Sequence, residues 1–154
     1  MKNSIIYRED IDCLRGLSVL FVILYHLKIS YFTGGFLGVD IFFVISGFLI
    51  TSIILKDISD GTFSLMSFYE RRIRRIFPAL FFVLISTYFF FNFIYLEGEI
   101  KELSKSIIST ILFYANFHFL DRGSYFSPTN ENLPLLHTWS LSIEEQFYFF
   151  FPFL

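Results

Sequence analysis

A charged residue and a titratable residue lie within one apolar segment of this chain, residues 14–32. Arg15 stands near the start of the segment, and His26 follows it eleven residues later. Eleven residues make about three turns of an α-helix, so both side chains lie on nearly the same face, about 16 Å apart along the axis. Such side chains are costly inside a membrane and usually face a protein interior or a water-filled cavity. The pair therefore predicts a functional site at the first span.

The composition favours a membrane protein. Hydrophobic residues make up 55% of the chain, and the mean hydropathy is +0.61, well above the value of an average soluble domain. The net charge is only −2, and the chain has one cysteine, Cys13. A single cysteine excludes an internal disulfide and a cysteine-rich metal site. We expect no metal site and no nucleic-acid partner.

Four long apolar stretches and the start of a fifth predict an all-α, multi-span transmembrane helix bundle. They cover residues 16–32, 39–55, 76–96 and 106–120, and the fifth begins near Leu141. The fourth stretch is short for a span, so a tilted or re-entrant helix is the alternative there. The sequence stops within the fifth stretch. We therefore expect residues 1–154 to be the N-terminal part of one larger domain, truncated at its C-terminus.

The basic residues predict how the spans are oriented. Lysine and arginine precede the first span and recur in residues 56–75, whereas residues 31–38 contain neither. Because short loops rich in Lys and Arg stay in the cytoplasm, we predict a cytoplasmic N-terminus and an external 31–38 turn. The side of residues 121–137 is left open: strict alternation puts them inside, and a re-entrant fourth segment puts them outside.

Three roles are open to His26. As a general base it would take a proton from an acceptor hydroxyl, because imidazole exchanges protons near neutral pH. As a nucleophile it would carry an acyl group briefly, and as a structural residue it would bond between helices. Arg15 either binds a phosphate through its planar guanidinium or extends to the lipid headgroups.

A run of arginines precedes the third apolar stretch. At helical spacing Arg71, Arg74 and Arg75 share a face, as do Arg72 and Arg75. Like charges this close repel unless an anion lies among them, which favours a polyphosphate ligand. The alternative is a topological signal together with anionic lipid headgroups. Pro78 is predicted in the first turn of the third helix, where its missing N–H costs little.

Glycines 34, 35 and 38 form a predicted tight turn before the second span, with backbone conformations closed to other residues. Asp40 follows them as a predicted helix cap.

Two adjacent glutamates open the fifth apolar stretch. Ser140 or Ser142 with Glu144 or Glu145 forms a predicted N-terminal helix cap. Because the stretch is strongly apolar, we expect at least one glutamate to point inward. We assign this role to Glu144, which would orient His26 or hold an acceptor hydroxyl.

Four ordered motifs together resemble the acyltransferase 3 family of bacterial membrane O-acyltransferases. The first is Arg-x10-His, at Arg15 and His26. The second is Gly-Val-Asp-x-Phe-Phe-Val-Ile-Ser-Gly-Phe-Leu-Ile, at residues 38–50. The third is Arg-Arg-x-x-Arg-Ile-x-Pro, at residues 71–78. The fourth is His-x-Trp-Ser-Leu-x-x-Glu-Glu-Gln-Phe-Tyr, at residues 137–148.

The resemblance implies a multi-pass enzyme of the bacterial inner membrane, embedded in lipid. Its donor would be a cytoplasmic acyl-CoA, usually acetyl-CoA, and its acceptor a hydroxyl of a cell-envelope or exported carbohydrate such as lipopolysaccharide. By the same resemblance His26 is the catalytic residue, and Arg15, Arg72 and Arg75 bind the donor.

The main departure from the family is length, because family membrane domains have more spans than this chain. One alternative is therefore a non-catalytic fragment, or one half of a split acyltransferase whose remaining helices are a separate chain. A second alternative is a transporter-like protein with an intramembrane histidine–arginine pair.

Overall fold

The computed structural model describes residues 8–122 and 133–153, and every regular element in these ranges is helical. This confirms the all-α prediction. The chain divides into two compact units, Met1–Lys56 and Asp57–Leu154. The helices are α1 Glu9–His26, α2 Leu37–Ser59, α3 Leu65–Phe91, α4 Glu97–Ile111, α5 Ala115–Leu120 and α6 Thr138–Phe150, with short 3-10 turns at Ser30–Phe32 and Phe151–Phe153.

Two of these helices, α2 and α3, are long and apolar enough to cross a membrane. They contain most of the second and third predicted spans, so the multi-span prediction is supported for two spans and not confirmed for four. The first predicted span is interrupted after α1 ends at His26, and the fourth is interrupted after α4 ends at Ile111.

Both interruptions are helix ends formed by a residue in the left-handed region. Lys28 has φ 55° and Phe113 has φ 51°. After α1, the N–H groups of Lys28 and Ile29 donate to the carbonyls of Tyr25 and Leu24, at 2.9 and 3.3 Å. These two bonds form the motif in which helices commonly end with a glycine. A lysine and a phenylalanine occupy that position here, so the sequence carries no glycine signal for either end.

Helix α1 begins with a charged turn outside its apolar segment. The Nε of Arg8 donates to the Asp10 carboxylate at 3.0 Å. This hydrogen bond lowers the pKa of the Asp10 carboxyl to about 2. The carboxylate therefore stays charged at neutral pH, where it interacts favourably with the positive end of the helix dipole.

Glycines at the start of α2 allow its backbone to approach α1. A Cβ atom on Gly38 would lie 2.4 Å from the carbonyl oxygen of Ser18, and one on Gly35 would lie 2.3 Å from that of Phe21. In the described ranges the positive-φ glycine is Gly61. The conformational freedom of glycines 34, 35 and 38 is therefore not used for a positive φ, and two of them instead allow a close approach. Asp40 lies inside the first turn of α2, so its predicted role as the helix cap is wrong.

Helix α3 begins much earlier than the apolar pattern predicts. Ser64 caps it by accepting a hydrogen bond from the N–H of Ser67 at 3.5 Å, so the arginine run lies inside the helix. Pro78 is consequently an interior residue, and its predicted place in the first turn is wrong. The helix therefore starts at its cap and not at the apolar stretch.

The second unit packs through both apolar and polar side chains. Leu80, Leu84, Leu103 and Leu135 form its buried apolar cluster. Helices α5 and α6 are joined by a pair of amide hydrogen bonds between Asn116 and Gln146, at 3.2 and 3.0 Å.

Helix α6 begins at Thr138, so Ser140 and Ser142 lie inside it, and their predicted capping role is wrong. Their hydroxyls instead donate back to carbonyls of the same chain segment, at 3.0 and 3.2 Å. Most of the segment 121–137, whose side of the membrane the sequence left open, lies outside the described residues. Lys2, one of the basic residues before the first predicted span, also lies outside them.

Candidate active site

The imidazole of His26 is held by a backbone carbonyl. His26 is the last residue of α1, and its Nδ1 lies 2.8 Å from the carbonyl oxygen of Val22. A carbonyl oxygen only accepts, so Nδ1 carries the proton and donates it. In the neutral ring Nε2 is then the nitrogen with a free lone pair. The side chain is exposed at the helix end, so Nε2 is free to act as a base or a nucleophile.

Arg15 lies on the same helix as His26, as the spacing predicts. Its guanidinium lies over the ring of Phe42, 5.5 Å from the centroid, and its Nη1 is 3.7 Å from the Asp12 carboxylate. Within residues 8–122 and 133–153, the buried Nε of Arg15 has no hydrogen-bond partner. An unsatisfied buried donor is costly, which makes this atom a candidate for an anion contact.

The four arginines of α3 divide into two kinds. Arg71 pairs with Asp57 at 2.9 Å, and Arg74 pairs with Glu70 at 2.7 Å. In the part of the chain that the structure describes, no carboxylate lies within ion-pair distance of Arg72 or Arg75. The latter two are therefore the arginines whose charge remains available.

Aromatic rings hold the guanidinium of Arg72. Its Cζ lies 4.9 Å from the ring centroid of Tyr148 on α6 and 5.8 Å from that of Phe68, one turn earlier on α3. Tyr148 is 4% exposed, and its hydroxyl donates to the Glu144 carboxylate. The contacts place the half-buried Arg72 against α6.

Acidic and basic groups meet around this arginine. The charges of Arg75, Glu144 and Glu145 all act on Arg72. Glu145 Oε1 is buried and has no hydrogen-bond partner within the described ranges. A carboxylate oxygen in that state lacks the donor that buried oxygens normally have.

The predicted site residues thus fall into two groups. Arg72, Arg75 and Glu144 come together in the second unit, whereas Arg15 and His26 lie in the first. The aromatic partners of Arg72 are not among the site residues predicted from the sequence. The sequence does contain a pattern that could have indicated these partners. Phe68 lies four residues before Arg72, and Glu144 lies four residues before Tyr148, and residues at this spacing are neighbours on a helix.

Among the residues that the structure describes, no group of three or more His, Cys, Asp and Glu side chains is placed to hold a metal ion.

Comparison with known proteins places the chain in a family. The acyltransferase 3 family model, described as an acyltransferase domain, matches residues 8–154. A provisionally named O-acetyltransferase of Staphylococcus aureus strain MSSA476 is 42% identical over 147 residues, and O-acetyltransferase OatA of strain NCTC 8325 is 38% identical over the same number.

Both alignments cover 95% of this chain and 24% of the relative, so the chain spans about a quarter of the length of these proteins. No solved structure matches the chain. The family model thus matches nearly the whole sequence, and these relatives are 42% and 38% identical to it. The chain therefore belongs to the membrane-embedded acyltransferase 3 family.

Proposed function

We propose that this protein is an O-acyltransferase of the bacterial inner membrane. It moves an acyl group, in the simplest case acetyl, from cytoplasmic acyl-CoA to a hydroxyl of a cell-envelope or exported carbohydrate. The observation that carries the proposal is the family match over residues 8–154, together with relatives that are named O-acetyltransferases.

The donor is recognised through its phosphates. Arg72 and Arg75 suit this role because no carboxylate in the described ranges pairs with them, in contrast to Arg71 and Arg74. A guanidinium offers several donors in a plane and binds a phosphate in a bidentate manner. Arg15 adds a further guanidinium, whose buried Nε has no hydrogen-bond partner within the described ranges.

His26 performs the proton transfer. Its Nε2 takes the proton from the acceptor hydroxyl while the hydroxyl oxygen attacks the thioester carbonyl. The new C–O bond forms, the C–S bond breaks, and the departing CoA sulfur receives the proton from the imidazolium. Val22 supports this role because its carbonyl fixes the proton on Nδ1 and leaves Nε2 unprotonated. If His26 is instead the nucleophile, the same nitrogen carries the acyl group.

The orientation follows the basic residues. With α1 crossing the membrane ahead of the consecutive spans α2 and α3, the turn between α2 and α3 lies in the cytoplasm with the N-terminus, and residues 31–38 lie outside. The arginine run at the start of α3 then lies near the cytoplasmic surface, on the side from which acyl-CoA approaches.

The test is transfer of label from acetyl-CoA. Membranes from cells that make the protein from its own gene receive acetyl-CoA labelled in the acetyl group, and base-labile label is measured in the carbohydrate fraction. Membranes from cells without the gene are the control. We expect gene-dependent labelled O-esters. Equal labelling in both membranes would overturn the proposal.

A further inference from the structure

We propose that Tyr148 is a positioning residue that holds the Arg72 guanidinium ready for the phosphates of the donor, and that Glu144 holds Tyr148 in turn. The inference rests on the proposed function, because it assigns Arg72 to the donor. It gives Glu144 a supporting role in place of the catalytic role that the sequence predicts.

The first argument is the contact between Tyr148 and Arg72. The guanidinium Cζ lies 4.9 Å from the Tyr148 ring centroid, within the range where a cation is attracted to the face of an aromatic ring. Tyr148 is 4% exposed, so its ring is packed inside the second unit and has little freedom to move. Phe68 contributes a second, more distant ring at 5.8 Å. The long arginine side chain therefore loses much of its freedom before any ligand arrives.

The second argument is the kind of partner that Arg72 has. A carboxylate at ion-pair distance would neutralise the guanidinium and compete with a phosphate, as Asp57 does for Arg71. An aromatic face attracts the cation without occupying its N–H groups. Arg72 is thus held in place while its hydrogen-bond donors stay available.

The third argument is the support behind the ring. The Tyr148 hydroxyl donates to the carboxylate of Glu144, one turn earlier on α6. This bond holds the hydroxyl end of the side chain in place relative to α6, and so limits the positions that the ring can take beside Arg72. It also engages one oxygen of Glu144 within the protein, which suits a supporting role.

The experiment measures equilibrium binding of CoA to the purified full-length protein in detergent. Tyr148→Leu removes the ring, and we expect it to raise the Kd for CoA about 10-fold, which lies between the effects of an exposed and of a desolvated cation–π contact. Tyr148→Phe keeps the ring and loses only the bond to Glu144, so we expect a smaller rise of about 3-fold.

A matched control is available on the same helix pair. The Tyr69 hydroxyl donates to the carbonyl of Phe149 at 2.8 Å, so it also joins α3 to α6, but it has no ring contact with Arg72. Tyr69→Leu should leave the Kd unchanged. A rise equal to that of Tyr148→Leu would mean that loss of helix packing explains both, and would overturn the inference.

A double-mutant cycle separates positioning from general damage. If Tyr148 acts through Arg72, Tyr148→Leu should have no further effect on the Kd once Arg72→Ala is present. Independent, additive effects would overturn the inference. Should Tyr148→Leu not fold, Glu144→Ala releases the ring without emptying the core and should raise the Kd about 3-fold. A Glu144→Ala protein with the wild-type Kd would then count against the inference.

Glu144→Gln tests the second half, because an amide oxygen still accepts the Tyr148 hydrogen bond but cannot exchange a proton. We expect kcat for acetyl transfer and the Kd for CoA to stay within about 3-fold of wild type. Lost turnover with unchanged CoA affinity would return Glu144 to catalysis. If the wild-type protein bound no CoA, the proposal that acyl-CoA is the donor would be wrong. If the wild-type protein bound CoA and Tyr148→Leu left the Kd unchanged, only the role of Tyr148 would be wrong.

Discussion

At the scale of single residues, the feature most open to test is the pair of α3 arginines, Arg72 and Arg75, that have no carboxylate at ion-pair distance in the described ranges. We expect Arg72→Ala and Arg75→Ala each to raise the KM for acetyl-CoA by about 10- to 100-fold, because a hydrogen bond to a charged group contributes about 1.5–3 kcal/mol. Lysine at either position should rescue only in part, since it lacks the planar pair of donors. The measurement is initial rate against donor concentration.

Arg74→Ala is the matched control for these variants, because Arg74 lies on the same helix but pairs with Glu70. Its KM should equal that of the wild type. If the KM for acetyl-CoA were unchanged in both the Arg72 and the Arg75 variant, these arginines would not bind the donor. The arginine run would then serve only to orient the protein in the membrane.

The sequence predicted that arginines of this run and the Arg15–His26 pair are important, because spacing alone places them on helices. Residue spacing by itself could not separate Arg72 from Arg71, because the pairing with Asp57 depends on where α2 ends and α3 begins. The family resemblance had already assigned Arg72 and Arg75, and not Arg71, to the donor. Nor could spacing identify the backbone carbonyl that fixes the His26 tautomer, since every helical residue has a carbonyl four residues before it.

At the scale of helices, the packing of α2 on α1 depends on Gly38. We expect Gly38→Ala to destabilise the protein by about 1–3 kcal/mol, the usual cost of overpacking, because its Cβ would lie 2.4 Å from the Ser18 carbonyl oxygen. Gly34→Ala is the control, with no atom within 4 Å of its Cβ. Thermal unfolding in detergent measures both, and equal midpoints would show that the close approach is absent.

The presence of helices was predictable from the long apolar stretches, whereas the residues at which the helices begin and end were not. The end of α2 carries the expected glycine, Gly61, with φ 67°. The ends of α1 and α4 use Lys28 and Phe113 in the same conformation, so the apolar stretches continue through them unbroken in sequence. The start of α3 was missed because the charged residues 70–75 separate its first turn from the long apolar stretch, while its cap, Ser64, is a single ordinary serine.

At the scale of the whole molecule, the orientation in the membrane is the main prediction. In a Cys13→Ser background, we expect an impermeant thiol reagent to label Gly34→Cys in intact cells and to leave Thr62→Cys unlabelled. Asn92→Cys, just after α3, should label like position 34, because two spans separate them. Position 35 is unsuitable, since a Cβ there would meet the Phe21 carbonyl oxygen at 2.3 Å.

The pattern that contradicts this orientation is labelling at position 62 alone. It would place the arginine run on the external side, away from cytoplasmic acyl-CoA.

The central claim is that acyl transfer takes place at His26, and a His26→Ala variant at the native locus tests it most directly. The measurement is the rate of acetyl transfer from acetyl-CoA to carbohydrate in its membranes, with CoA affinity measured on the same protein. We predict a loss of about 100-fold or more, the scale of a general base, with CoA affinity within about 3-fold of wild type because the phosphates are held by the arginines. Normal turnover by a well-inserted His26→Ala protein would contradict the account.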